Sequence, residues 1–458
     1  MSRLPCLLRC CLISVFLLLV APAAGLAEKN QAWSKLRSPN FVVVTNGGEK
    51  QARRVAYQFE MIRAVFRQFF NIQGSATDPS VIIIAAKDEA TFRPLLPESY
   101  QKKGSLHLAG LYMAGPEKNY VALRLDVSLS RETDQPFEPV YHEYVHYLMR
   151  RSISRLPLWL TEGLAEFYGN TLVESKTVYV GAPSSLNLVV LRHSALLPLS
   201  TLFVVDASSP YYHEENKASI FYAESWTFTH FLMTHDWREN THRMSQFVTL
   251  LGQNVGAEAA AKRTIGDPEA LQEALKLYIG EFSFTADRIA APPSVDPDAL
   301  APEPISEAAA LAVRADFLVH ARRYTDARQM LEEALKSDPK LSEAYESMGL
   351  LYAQQNKTEE ATKWYSQAVA LNSQSYLAHF YYATNLLKGG MNDDLAGKAE
   401  SSLRAAIKIN PEFAPSYDAL AYLLASRRRL EEARALSLEA ITLEPGNVAY
   451  RLRMAAIL

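Results

Sequence analysis

The segments ALKSDP, AVALNS, AIKINP and AITLEP close at Pro339, Ser373, Pro411 and Pro445, at intervals of 34, 38 and 34 residues. In that frame Ala315, Gly349, Ala383 and Ala421 share one position. Ala327, Ala361, Ala399 and Ala433 share a second, and Ala334, Ala368, Ala406 and Ala440 a third. A fixed period of this size demands stacked supersecondary units, each burying its apolar face only against its neighbours. Proline suits the end of a helix because it cannot continue one. The additional residues of the third interval fall around KGGMND, a loop-like stretch.

This frame resembles the tetratricopeptide repeat, in which two antiparallel helices cross closely at small residues and a proline follows the second. Tyr352 and Tyr365 stand at its aromatic positions. The resemblance implies an all-α solenoid over residues 307–458, four repeats and a terminal helix VAYRLRMAAIL, recruiting a protein partner. Ahead of it APPSVDPDALAPEP carries five prolines in fourteen residues, so 286–306 reads as a semi-rigid linker.

The rest of the chain has a different texture. FVVVTN (41–46) and VIIIAA (81–86) are β-branched runs that read as strands, and the segment between them has the spacing of an amphipathic helix. AGLYMAGPEKNYVALRLD (109–126) reads as two strands about a Gly-Pro turn. From 137 to 285 the pattern is mostly helical, and Asp267 followed by Pro268 marks one helix start. The expected fold is an α+β domain over 33–285, a small sheet unit followed by a helical subdomain.

The first 27 residues have the layout of a secretory leader: Arg3 and Arg9, the apolar run CLISVFLLLV, then small residues with cleavage after Ala24 or Ala27. All three cysteines (Cys6, Cys10, Cys11) lie there, so the mature chain has neither disulfide nor thiolate metal site. An exported, disulfide-free chain fits a bacterial periplasm or medium, with membrane tethering only if the leader stays uncleaved. The 47 basic and 50 acidic residues form no basic tract, which excludes nucleic acid as the expected partner.

HEYVH (142–146) carries the chemistry. Residues four apart share a helix face, so His142 and His146 can offer two imidazoles to one zinc ion, with Glu143 beside them as general base. The flanking Val140, Tyr144, Val145, Tyr147 and Leu148 are apolar or aromatic. Histidines and a carboxylate buried among them carry a desolvation cost unless paired or metal-bound. WLTEGLAEFY (159–168) offers Glu162 and Glu166, again four apart, for the third ligand.

HEYVH together with WLTEGLAEFY resembles the gluzincin metallopeptidases. SPNFVVVTN (38–46), FYAESW (221–226) and the appended repeats resemble more closely the exported peptidase-MA-like group. The resemblance implies Zn2+ held by His142, His146 and Glu162. Glu166 then stands behind a ligand histidine, or serves as the fallback ligand. Tyr222 would stabilise the oxyanion, with Tyr212, His213 and His230 as rivals, while Glu224 could orient a histidine, bind a substrate amine or pair with an arginine. Fifteen residues separate His146 from Glu162, fewer than in the aminopeptidase branch, with SISRLP as the shorter connection. The hairpin at 109–120 would supply an edge strand for an extended peptide substrate.

These features make an exported zinc metallopeptidase the main expectation. A non-catalytic interaction scaffold using the repeats is one alternative, and a zinc hydrolase acting on a non-peptide amide is another.

Overall fold

The computed structural model describes residues 32–70, 81–101, 108–115, 118–127, 135–152, 156–174, 177–212, 219–280, 284, 286–291, 295–388 and 392–457. The leader and His213 lie outside the described residues.

Strands β1 (Ser34–Arg37), β2 (Phe41–Thr45), β3 (Val81–Ala86), β4 (Gly110–Met113) and β5 (Asn119–Arg124) build the first sheet. A second, three-stranded antiparallel sheet is made of β6 (Leu172–Glu174), β7 (Thr177–Val180) and β8 (Asp287–Ala290). Strand β9 (Glu303–Pro304) returns to the first sheet, whose order is β4-β5-β3-β2-β1-β9. Its centre is parallel: Phe41 pairs with Val81 and Val81 with Asn119, while β4 and β1 run antiparallel to their neighbours.

The unbroken apolar character of β2 and β3 has a physical cause, since both faces of the sheet are covered. Phe41, Val43, Val81, Ile83, Val121 and Leu123 face a core shared with the helix Glu49–Phe70 and the helices that carry the site. Val42, Val44, Ile84, Tyr120 and Ala122 face the opposite way, into a core completed by Ala312, Ala315, Phe317 and Leu318 of the first repeat helix (Glu307–His320).

The repeat array is therefore docked on the sheet. Asp316 is the centre of that contact: Lys118 Nζ is 2.9 Å from Oδ2, Ser347 Oγ donates to Oδ1 at 2.9 Å, and the Tyr120 hydroxyl donates to Oδ2. Burial would raise the Asp316 carboxyl, but Lys118, His320 and Tyr120 hold it well below the usual carboxylate range. Arg323 Nη1 donates to the Pro94 and Leu96 carbonyls at 2.6 and 2.7 Å, and Arg314 lies 4.7 Å over the Trp33 ring.

The proline-rich stretch read as a linker is pinned at both ends, by β8 in one sheet and β9 in the other. Local composition reports the stiffness of such a stretch, whereas its pairing depends on strands more than a hundred residues away.

Beyond it follow the helix pairs Glu307–His320 with Tyr324–Ser337, Ser342–Gln354 with Thr358–Ala370, Tyr376–Lys388 with Asp393–Ile409, and Ala414–Ser426 with Leu430–Leu443, then Val448–Ile457. The small residues sit at the crossings. A Cβ at Gly349 would collide with the Tyr365 ring of its partner helix, and Ala327, Ala361, Ala399 and Ala433 are fully buried. Among the described residues no helix is long and apolar enough to cross a membrane.

Candidate metal centre

HEYVH lies in the helix Glu138–Ser152, and WLTEGLAEFY in the helix Leu158–Gly169, which is buried for most of its length. A third helix, Ile220–Glu239, packs across the second. Gly163 sets their approach: a Cβ there would strike Ser225 O and Thr229 Oγ1. The glycine beside Glu162 is thus a spacing device that lets two helix backbones come together. Trp159, fully buried, packs on Phe203 and Phe228 at 5.5 and 5.1 Å and seats the start of the Glu162 helix.

Three atoms able to ligate a metal converge. His142 Nε2 is 3.0 Å from His146 Nε2, and Glu162 Oε2 is 3.4 Å from each. A tetrahedral zinc ion with imidazole and carboxylate ligands at about 2.0–2.2 Å would place its ligand atoms roughly 3.3–3.6 Å apart. The donor set, spacing and burial all fit that ion. Burial would raise the Glu162 carboxyl, yet the two imidazoles bring it down to about 2, so this group is an anion at neutral pH.

The other nitrogen of His142 faces two carboxylates. Its Nδ1 lies 3.5 Å from Glu166 Oε1 and 3.6 Å from Glu138 Oε1. Glu166 Oε2 in turn accepts from Asn187 Nδ2 at 3.0 Å. Glu162 and Glu166 therefore approach opposite edges of one ring. A carboxylate on the far nitrogen fixes tautomer and orientation of a ligand histidine. Glu138 and Asn187 are additions that motif reading missed. Glu138 has a local signal, since it stands one turn before His142, and Gly169 leaves it room: a Cβ there would lie 3.2 Å from Glu138 Oε1. Asn187 comes from another helix, Ser185–His193, and has no local signal.

Glu143 is partly exposed on the open side of the motif helix. Strand β4 lies at the sheet edge, against that helix, with Val140 beneath Gly110. Arg124 N donates to Ala109 O. By the alternation of an antiparallel ladder, Leu111 and Met113 bond to β5, while the main-chain groups of Gly110 and Tyr112 face outward.

Three further candidates lie on the third helix, which packs against the helix of Glu162. Tyr222 is buried on the third helix, its ring 5.5 Å from Phe221 and 6.1 Å from Tyr212. His230 Nδ1 is 2.6 Å from the Tyr278 hydroxyl. Glu224 Oε2 accepts from Leu197 N at 2.7 Å, and burial pushes its carboxyl up to about 7 against that bond. Its binding is to main chain, across to the segment that follows the Ser185–His193 helix.

Comparison with known proteins speaks for the array. Residues 342–375 match the tetratricopeptide repeat. The C-terminal part is a tetratricopeptide-like helical solenoid. Similar solved structures include the MamA protein (19% identity over 33% of this chain and 80% of that one, TM-score 0.29) and its form from Desulfovibrio magneticus RS-1 (18%, 33% and 82%, TM-score 0.29). Another is YrrB, described as a TPR protein with an unusual peptide-binding site (18%, 33% and 76%, TM-score 0.30). No curated protein matches the chain.

Proposed function

We propose that this chain is an exported zinc-dependent hydrolase of peptide bonds whose tetratricopeptide array serves protein interaction. One observation carries the catalytic part: two imidazole nitrogens and one carboxylate oxygen, all within 3.4 Å of one another, in a largely buried cluster beside Glu143. Zinc bound there would polarise a carbonyl and lower the pKa of a water.

The chain's own residues do the rest. Glu143 accepts the proton of the attacking water and passes it to the leaving amine. Glu138 and Glu166 hold His142 by its Nδ1 edge, so that Nε2 keeps its aim. Tyr222 donates to the developing oxyanion, and the outward main-chain groups of Gly110 and Tyr112 take an extended peptide as an added strand. The test is Glu143→Gln, which should retain zinc and lose hydrolysis of a mixed peptide substrate by at least about 100-fold. A variant that remains as active as the parent removes Glu143 from the chemistry.

A second reading is favoured by the repeat match at 342–375. In it the array is an interaction scaffold and the histidine-glutamate pocket a structural metal site. The comparisons lend support to this interaction role and are silent on catalysis. Zinc retained without hydrolysis of any peptide, beside a partner held through the repeats, is its signature.

A further inference from the structure

The helix that carries HEYVH opens to solvent along one narrow line. Between Val140 and Arg150 every residue is buried except Glu143, His146 and Arg150. At 100° per residue these three fall within about 60° of arc, so they form a single row, with Arg150 about 6 Å along the axis from His146 and about 10 Å from Glu143. Arg150 is the exposed end of that row, and no carboxylate pairs with it among the described residues.

Strand β4 borders the same row. Gly110 lies over Val140. Burial raises the Tyr112 phenol, Tyr147 adds to the rise, and Arg150 opposes it, with Tyr144 and Glu143 also acting on the hydroxyl. The edge strand thus runs alongside the helix from the level of Val140 towards Arg150, and an extended chain added to β4 passes Glu143, His146 and Arg150 in line.

An added strand advances about 3.3 Å per residue. The distance from the reacting groups to Arg150 therefore spans two to three residues. An arginine presents a planar fork of donors matched to a carboxylate.

We propose that Arg150 is a specificity-determining residue that binds a carboxylate of the peptide lying along β4. The site thereby selects peptides with an acidic side chain, or a chain-end carboxylate, two to three residues from the bond that is cut. This rests on the peptide-hydrolase reading above and names its substrate class.

The test separates the two. Fluorescent heptapeptide pools carrying Glu or Gln at one fixed position, and ending in a free acid or an amide, are titrated onto the zinc-loaded Glu143→Gln protein. One acidic pool binds about 10-fold more tightly than its neutral counterpart, and which pair differs tells side chain from chain end. The preference disappears in Glu143→Gln/Arg150→Gln, survives weakened with Arg150→Lys, and declines with added salt. Unchanged melting and zinc content show that the variants are folded. Equal affinity for all four pools in both backgrounds, or binding of none, overturns the assignment. Hydrolysis by the wild-type chain is read separately: charge-selective binding without hydrolysis removes the proposed reaction and leaves Arg150 in place, whereas hydrolysis without charge preference does the reverse.

Discussion

Lys118 and Asp316 meet at 2.9 Å across 198 residues of chain, one just ahead of β5 and the other on the first repeat helix. The contact makes the repeat array part of the same folded body as the sheet that borders the candidate metal site.

Asp316→Ala leaves Lys118 and the Tyr120 hydroxyl without their shared acceptor, and should cost about 3–5 kcal/mol in denaturant unfolding, as breaking a buried pair does. The pH sign follows from the lowered Asp316 carboxyl. Its contribution is complete above the unfolded carboxylate range near pH 4 and is lost as pH falls through the lower folded value. Equal stability of wild type and variant at neutral pH would contradict a buried ionised Asp316.

Gly163→Ala inserts a methyl where the Glu162 helix meets Ser225 and Thr229. Overpacking of this kind costs about 1–3 kcal/mol, and displacement of the helix carries Glu162 with it. Melting temperature and zinc affinity should fall together. A variant that melts like wild type would mean that the two helices can separate freely.

Tyr112→Pro should be tolerated by the fold, because an edge strand admits proline where its N–H faces outward. It also removes the donor that an added peptide strand would use. With Tyr112→Ala as the control for the side chain, the proline variant should raise KM by about 10-fold, the loss of a main-chain hydrogen bond and of strand geometry, with zinc content unchanged. A KM equal to that of the alanine control would exclude strand addition at β4.

Glu224 is fully buried, with one oxygen on Leu197 N and a carboxyl raised to about 7. A raised carboxyl destabilises the fold when ionised, so the penalty is absent below about pH 4, grows as pH rises towards 7 and is constant above it. Glu224→Gln should therefore gain about 3 kcal/mol at pH 8 and nothing at pH 4. If the difference is the same at both pH values, Glu224 carries no such penalty.

Much of this was legible in the chain before its structure. His142, His146, Glu162 and Glu166 announced themselves by four-residue spacing inside apolar helices, and β2, β3 and the helix between them by periodicity alone. The small residues of the repeats were visible because close helix crossings recur at a fixed interval. What local pattern cannot carry is long-range pairing. Neither β8 and β9 inside a proline-rich stretch, nor Asn187 behind Glu166, nor the seat of Asp316 on Lys118 leaves a periodic trace. Likewise, the sequence does not say which positions of β4 face outward: the register turns Leu111 and Met113 towards β5 and leaves Gly110 and Tyr112 facing out.

The most direct measurement is the zinc content of the full chain purified without chelators, beside Glu162→Ala and Glu166→Ala. The His142, His146 and Glu162 geometry predicts about one zinc per wild-type chain and close to none in Glu162→Ala. In Glu166→Ala zinc should be retained with affinity weakened about 10- to 100-fold, as for a residue that orients a ligand. Wild-type protein free of zinc, or full occupancy in Glu162→Ala, would contradict the metal centre.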